Sequence, residues 1–325
     1  MIVSETVDDT AQSLGFPARV GLVILGFTSV ASLLGWVYGV ARFDVLFRLV
    51  TVPGALVLLG LGLGPVRTRP ALRRVIVVGT IAGLVGTIGY DVFRIPFIYG
   101  GGMLLLSPIE SYGVLADGGA GSSGWTDFLG WSYHLSNGIG FAIAYVAMAE
   151  RRHWGWGVLY AAALETGTIL TPFADSYSLT GKWGVIAVAY AAHVPYGLAL
   201  GWFGRYPDRT LRGLAEIGRW SVPALVAGSF VGLALWLEPG SGGGETELVV
   251  RDGRLVPEWT VTALGECVEI RNLDAEPYGL AAAINSPTLP ANGSAEMCFA
   301  DPGVHRVRTT GEVFAGGFVI VDPER

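Results

Sequence analysis

The chain has 325 residues, of which 51% are hydrophobic and only 15% charged, and its formal net charge is −6. Soluble domains usually carry about 25% charged residues, so this composition indicates a multi-pass membrane protein and excludes a disordered chain or a coiled coil. The absence of a basic surplus excludes a protein that binds nucleic acid. From residue 240 onward there are 13 acidic residues and 6 arginines, whereas residues 1–239 are nearly balanced in charge. The two parts are therefore expected to face different solvents.

Seven apolar runs have about the length that a helix needs to cross a bilayer, which is about 20 residues. The polar N-terminus lacks the basic region of a signal peptide, so the first run is expected to stay in the protein as a helix. The predicted spans cover residues 20–40, 45–64, 75–95, 126–149, 154–173, 183–203 and 219–237.

The distribution of basic residues orients these spans. With the N-terminus in the cytoplasm, the inner segments hold 11 arginines, whereas the outer loops hold only Arg42 and Lys182. Basic residues favour the cytoplasmic side, and the opposite orientation would invert this ratio. Seven spans then place the C-terminal part outside the cell, together with a long loop at 96–125. The excess of Arg over Lys, 20 to 1, is typical of a GC-rich genome, and the expected location is a prokaryotic cell membrane.

A glycine-rich linker at 239–245 separates a membrane domain at 1–238 from an outer domain at 246–325. Beyond the linker, short stretches alternate apolar and polar residues, and turn pairs such as Asp252-Gly253 and Asn292-Gly293 divide them. About 80 residues of this kind predict a small β-sandwich. The predicted strands cover residues 248–250, 260–262, 267–270, 296–299, 305–308 and 318–321.

Three stretches of the outer domain follow a recognisable pattern. Residues 268–274 read Val-x-Ile-x-Asn-x-Asp after a glycine turn, residues 302–305 read Pro-Gly-Val-His, and residues 317–321 read Gly-Phe-Val-Ile-Val. In these stretches, residues 246–323 resemble the cupredoxin family. The resemblance implies a cupredoxin-like β-sandwich as the fold of the outer domain.

The copper ligands of the cupredoxin family have no counterpart here. The resemblance places the first histidine ligand near Tyr278, the cysteine ligand near Thr309 and the axial methionine near Ala315. A type-1 site needs two histidines and a cysteine, so the resemblance implies a domain without type-1 copper. His305 stands where the family has a packing aromatic residue. Such a domain could be a packing module, a lid over the outer face of the bundle or a surface for a protein partner.

Strand parity gives the two cysteines a common direction. Successive side chains of a strand point to opposite faces. If Val268 and Ile270 face the core, Cys267 points outward, and Cys298 does the same beside an inward Met297. In the cupredoxin topology these two strands run close together. The resemblance and the parity together predict a Cys267–Cys298 disulfide, as suits a domain outside the cell.

Four ionisable residues lie within the predicted spans, where such side chains are costly and usually mark a site or an internal pair. Asp91, His134, Glu165 and His193 belong to spans 3 to 6 in that order. At a rise of about 1.5 Å per residue, all four lie in the outer half of the membrane at similar depth. The sequence therefore predicts one outward-facing polar cavity between four consecutive helices.

The residue types suggest a metal. Two histidines and one or two carboxylates suit a divalent ion such as zinc or iron, and the two histidines alone could ligate haem. An ion with an open position would make a catalytic site. One hypothesis is thus an intramembrane lipid hydrolase in which Glu165 acts as the general base.

Other interpretations stay open. Asp91 could simply pair with Arg94, three residues later, while the histidines bond to neighbouring helices. The same groups could relay protons or a solute, or the bundle could only anchor the outer domain. The partners expected on these grounds are the lipid bilayer and a protein bound by the outer domain, with no nucleic acid.

Overall fold

The computed structural model describes residues 14–63, 70–100, 103, 105–118, 124–177, 179, 182–217, 247–256, 259–281, 287–300, 303–310 and 316–322. The protein is mostly helical up to residue 217 and β-rich from residue 247 onward. The predicted seventh span at 219–237 and the predicted linker at 239–245 lie outside the described residues, so the boundary between the two domains stays a prediction.

Helices account for most of the described residues before 217. A π-helical turn at Phe47–Thr51 joins α3 to α4. The helices are α1 (Phe16–Gly26), α2 (Thr28–Val37), α3 (Phe43–Leu46), α4 (Val52–Leu63), α5 (Pro70–Tyr99), α6 (Ser107–Asp117), α7 (Gly124–Ala149), α8 (Gly155–Ile169), α9 (Phe173–Ser176), α10 (Trp183–Arg205) and α11 (Pro207–Ile217).

Within the described residues, three helical segments are long and apolar enough to cross a membrane: Phe43–Leu63, Pro70–Tyr99 and Trp183–Arg205. The predicted first span is instead a pair of helices, α1 and α2, which bend by 49° and would count as a fourth crossing if they act as one span. The predicted fourth and fifth spans correspond to α7 and α8. Polar residues such as Ser132 and Asn137 lower the hydropathy of α7, and α8 has only 15 residues.

The loop predicted at 96–125 contains a helix. Pro108 stands in the first turn of α6, and Gly118 ends it in the left-handed conformation with φ 102°. Proline at the start and glycine after the end are the usual boundaries of a helix. A Cβ on Gly113 would lie 1.7 Å from the backbone oxygen of Thr126, so α6 lies in direct backbone contact with the start of α7.

Glycines also allow close contact between the long helices. A Cβ on Gly83 of α5 would lie 2.5 Å from the Cα of Ile139 on α7, and a Cβ on Gly197 of α10 would lie 2.5 Å from the Cα of Val158 on α8. Small residues at such crossings let helix backbones approach closely in membranes. The first crossing joins α5 to α7 and the second joins α8 to α10. Gly86 of α5, whose Cβ would lie 2.7 Å from the Tyr196 ring of α10, joins the two pairs.

Two sheets form the β-rich part. One has the strand order β2-β1-β4-β7 and the other β3-β9-β8-β5-β6. β1 pairs with β4 and β3 pairs with β9 in parallel, and the other pairings are antiparallel. The strands are β1 (Glu247–Arg251), β2 (Arg254–Val256), β3 (Trp259–Ala263), β4 (Cys267–Asn272), β5 (Tyr278–Ala281), β6 (Thr288–Leu289), β7 (Ser294–Cys298), β8 (Gly303–Thr310) and β9 (Gly316–Asp322).

The six predicted strands match six of these elements, whereas β2, β5 and β6 were not expected. Each of these three has four residues or fewer, so none is long enough to show several cycles of alternation. These short strands form because they pair with neighbouring strands of the sheets, and their own sequence pattern does not indicate this pairing.

The predicted disulfide is confirmed. Cys267 and Cys298 are directly paired across β4 and β7, and their sulfur atoms are bonded. Val268, Ile270 and Met297 are buried in the core between the sheets. The cysteines therefore lie on the outer face of their sheet, as strand parity predicts.

The five-stranded sheet packs against the helices through two aromatic residues. Trp259 of β3 and Phe318 of β9 are paired across the sheet and fully buried. The Phe318 ring lies 5.9 Å from those of Trp36 and Tyr177, in edge-on geometry. Val319, the next residue along β9, faces the core between the sheets instead. Alternate residues of β9 thus serve two different packing surfaces.

Candidate functional site

A cavity of about 450 Å³ lies between α5, α7, α8 and α10. Most of its wall is apolar, but polar side chains from all four helices converge on it. These polar lining residues include Tyr90, Arg94, His134, Asn137, Glu165 and His193.

Asp91 lies behind this wall and joins two of the lining residues. Its carboxylate forms an ion pair with Arg94, one turn further along α5, and its side chain is only 2% exposed. Both carboxylate oxygens also lie 3.1 Å from Nε2 of His134. Because a carboxylate accepts hydrogen bonds, this contact assigns the Nε2 proton to His134. Asp91 therefore orients the imidazole and offsets the charge of Arg94.

Arg94 is held on several sides. Its Nη1 donates to the backbone oxygen of Leu105 at 2.7 Å, and its guanidinium carbon lies 4.3 Å from the centre of the Tyr90 ring. A buried arginine is stabilised by such ion pairing and by stacking on an aromatic face. The short segment before α6 thus contributes directly to the site.

His193 and Glu165 form the second polar pair. Nδ1 of His193 donates to the backbone oxygen of Ala189 at 2.9 Å and lies 3.5 Å from a carboxylate oxygen of Glu165. Since a backbone carbonyl can only accept, the Nδ1 atom carries the proton. Nε2 of His193 then has a lone pair and no hydrogen bond to the described part of the chain.

Tyr90 connects the two pairs. Its ring centre lies 6.1 Å from that of His134 and 4.9 Å from that of His193. The sequence analysis did not identify Tyr90, although it directly precedes Asp91 and stands one turn before Arg94 on α5. The signal that could have identified Tyr90 is its spacing of four residues from Arg94, which puts both side chains on one face of the helix.

Three buried polar atoms on the cavity-lining residues have no hydrogen-bond partner within the described residues: Oγ1 of Thr87, Nε of Arg94 and Oδ1 of Asn137. Most buried polar atoms in proteins do have a partner, and leaving one without costs about 1–3 kcal/mol. These atoms belong to residues of the cavity wall but are themselves shielded from the cavity; Oγ1 of Thr87, for example, lies against Gly138 of α7.

The four residues predicted to meet are arranged as two pairs, Asp91 with His134 and Glu165 with His193. Among the residues that the structure describes, no three His, Cys, Asp or Glu side chains are grouped so that they could hold one metal ion. Asp91 is instead paired with Arg94, as the alternative interpretation of the sequence expects. Metal or haem binding and a catalytic role of Glu165 stay predictions from residue types.

The β domain forms a second layer behind one side of the cavity. Phe173 and Tyr177, in and just after α9, line the cavity and belong to the same aromatic cluster as Trp259 and Phe318. The β domain therefore supports residues of the cavity wall without reaching the cavity itself.

The positions that the resemblance assigns to copper ligands hold Tyr278, Thr309 and Ala315. Tyr278 donates its hydroxyl to Asp274 at 2.9 Å, and Thr309 is buried in β8. His305 packs against Phe299 with ring centres 4.8 Å apart, as the resemblance implies. Ala315 lies outside the described residues.

Asp274, which follows β4, accepts two hydrogen bonds from the turn between β1 and β2 and one from the hydroxyl of Tyr278. Its oxygens lie 2.7 Å from the backbone nitrogens of Asp252 and Gly253. Desolvation would raise the pKa of this carboxyl, but the bonds from Gly253, Tyr278 and Asp252 together lower the pKa below its ordinary value. Desolvation and the bond to Asp274 raise the pKa of Tyr278 to about 12.

Solved structures similar to part of this chain are cupredoxins. Reduced amicyanin, in a variant form, is 17% identical with a TM-score of 0.22 and covers 24% of this chain and 83% of its own. A purple cupredoxin from Nitrosopumilus maritimus is 19% identical with a TM-score of 0.22, over 23% of this chain and 98% of its own. A copper-containing nitrite reductase from Thermus scotoductus matches at 14% identity and a TM-score of 0.21 over 24% of this chain and 22% of its own.

These TM-scores are too low to transfer any property of those proteins to this chain. No protein-family model and no curated protein matches the chain.

Proposed function

We propose that this protein is a multi-pass membrane protein that binds a small amphipathic molecule in the cavity between α5, α7, α8 and α10. The observation that carries the proposal is the convergence of polar side chains from all four helices on a largely apolar cavity. A volume of about 450 Å³ is in the range of ordinary small-molecule sites. Such sites combine an apolar wall with a few polar groups that orient the ligand.

The proposal includes the topology expected from the sequence. Seven spans with the N-terminus in the cytoplasm place the polar residues in the outer half of a prokaryotic cell membrane and the β domain outside the cell. The apolar segments Phe43–Leu63, Pro70–Tyr99 and Trp183–Arg205 support a membrane location. The β domain, which resembles a cupredoxin without copper ligands, then acts as a fixed outer support for the cavity wall.

Filling the cavity tests this function. Ala189 and Ala187 both lie on α10, but Ala189 lines the cavity whereas Ala187 is exposed on the helix surface. We expect Ala189→Phe to remove a small molecule that is extracted by organic solvent from the purified protein, and Ala187→Phe to leave its amount unchanged. Mass spectrometry of the extracts measures both.

Equal amounts of the same molecule in wild type and Ala189→Phe would overturn the proposal. So would an extract that contains only bulk membrane lipid in every variant. Because Ala187→Phe adds the same ring to the same helix, it controls for general effects of the substitution on expression and folding.

A further inference from the structure

We infer that the ligand of this cavity is a neutral, lipid-soluble molecule whose head group is a phenol or quinol, with the hydroxyl donating to His134 or His193. This inference rests on the proposed binding function and names the chemistry of its ligand. It depends on three features of the site: two free acceptor nitrogens, a balanced charge and an aromatic surface.

The two histidines present hydrogen-bond acceptors. Nε2 of His134 is bound to Asp91, and Nδ1 of His193 is bound to the backbone of Ala189. Each neutral imidazole then keeps one nitrogen with a lone pair. Within the described residues no donor satisfies either of these nitrogens. A hydroxyl group on a ligand would supply the missing donor.

The charge of the site disfavours an anion. Arg94 is already paired with Asp91, and its Nη1 is used by the backbone oxygen of Leu105. Lys182, the other basic residue on the wall, already has an interaction partner as well. Glu165 lines the same cavity and adds a carboxyl group, not a positive charge that would attract an anion.

A cation is disfavoured as well. The guanidinium group of Arg94 lines the same cavity and already lies over the ring of Tyr90. Like charges at such short range repel each other strongly when water is excluded. A neutral head group avoids both penalties.

The ring surfaces around the histidines favour an aromatic head group. Tyr90 and Tyr196, which both line the cavity, lie edge-on to His193 with ring centres 4.9 Å and 6.2 Å apart. Edge-to-face and offset packing stabilise further aromatic rings at such distances. A phenol places its hydroxyl at the edge of the ring, where an imidazole nitrogen can accept it.

The test uses a phenol and its methyl ether. Tritiated 4-octylphenol is bound to the full-length protein in nanodiscs and measured by scintillation proximity, with empty nanodiscs as background. We expect saturable binding that unlabelled 4-octylanisole displaces at least about 10-fold less well than unlabelled 4-octylphenol. Octanoate, an anion of similar length, is expected not to compete.

Histidine variants locate the acceptor. His193→Phe and His134→Phe keep a ring but lose the nitrogen, and at least one of them is expected to weaken binding about 10-fold or more. His193→Gln keeps an acceptor and is expected to bind better than His193→Phe. His153→Phe is the matched control, because His153 is exposed in the turn between α7 and α8.

The inference would be overturned if 4-octylanisole competed as well as 4-octylphenol, or if octanoate competed better than 4-octylphenol. Both comparisons use the unmodified protein, so they hold even if a variant does not fold. Loss of an extracted molecule in Ala189→Phe would in that case still support a binding cavity. If no probe binds and Ala189→Phe does not change the amount of the extracted molecule, both the inference and the proposed function fail.

Discussion

The ring of Phe318 in the β domain lies edge-on to the ring of Tyr177 in the helical domain, with centres 5.9 Å apart and planes at 84°. Tyr177 also lines the cavity, so its side chain lies between the β domain and the cavity. This contact fits a packing module among the roles considered for the β domain, and the roles as a lid or as a surface for a partner stay predictions.

Removal of the Phe318 ring is expected to loosen this wall. Phe318→Ala should destabilise the packed β domain by about 3–5 kcal/mol, the usual cost of deleting a buried phenyl ring. It should also speed hydrogen exchange in α9, measured by mass spectrometry. Val319→Ala is the control, because Val319 faces the core of the sandwich. Equal exchange in α9 for both variants would contradict the role of Phe318.

The disulfide is expected to stabilise the β domain without influencing the cavity. Cys267 and Cys298 are 31 residues apart, and a loop of that length corresponds to about 3–4 kcal/mol in the chain-entropy model. The Cys267→Ser/Cys298→Ser protein should unfold at correspondingly lower denaturant concentration, as should reduced wild type. Ligand binding should be unchanged, because the bond lies on the sheet that Phe318 does not belong to. Weakened binding in the double variant would show that the two sheets are coupled.

The β domain is expected to lose stability in acid, because its hydrogen bonds to Asp274 need the ionised carboxylate. The pKa of Asp274 is lowered in the folded protein, so its stabilising effect is present above the unfolded value of about 3.9 and is lost as the pH falls through the lower folded value. Asp274→Asn places an amide hydrogen opposite a backbone N–H and should cost about 1–2 kcal/mol at pH 7. The difference between wild type and variant should shrink below about pH 4. Denaturant unfolding at pH 7 and pH 3 measures it, and a difference that does not change with pH would refute this role.

Gly83 is expected to tolerate no side chain. Its Cβ would lie 2.5 Å from the Cα of Ile139, so Gly83→Ala must push α5 and α7 apart and should destabilise the bundle by about 2 kcal/mol or more. Gly167 on α8 has nothing within 4 Å of the same position. Gly167→Ala should therefore be neutral or slightly stabilising, because alanine favours helix. Unfolding in detergent compares the two, and equal stability of both variants would contradict the close crossing.

The proposed topology predicts accessible cysteines outside the cell. After mild reduction, a maleimide that cannot cross membranes should label Cys267 and Cys298 in intact cells, and Cys267→Ser/Cys298→Ser cells should show no labelling. Labelling only after lysis would reverse the orientation inferred from the arginines.

Local patterns predicted some features well. Two cysteines beside alternating apolar residues were enough to orient both thiols, because the strand period of two is strict. The depth of Asp91, His134, Glu165 and His193 along four helices placed them in one region, since helical rise is constant. Their division into pairs depends on side-chain rotamers and on the rotation of each helix about its axis, which depth does not determine.

Other features depend on contacts between distant segments. The hydrogen bond from Arg94 to Leu105 joins α5 to a stretch that the sequence analysis predicts as a loop, and no local pattern indicates such a contact. The helix α6 in the same stretch was also not predicted, although Pro108 and Gly118 are typical residues at the two ends of a helix. The docking of Trp259 and Phe318 uses the outward residues of strands. An outward aromatic residue in a sequence does not reveal whether lipid, solvent or another domain covers it.

Alternate residues of β9 face opposite ways, and the disulfide lies on the other sheet. The face that carries Cys267 and Cys298 can therefore accept a rigid fusion or an antibody fragment while the sheet with Phe318 stays packed against the helices. For a membrane protein of 34.3 kDa, such a handle on the distal sheet would provide the added mass and the orientation mark that single-particle imaging needs.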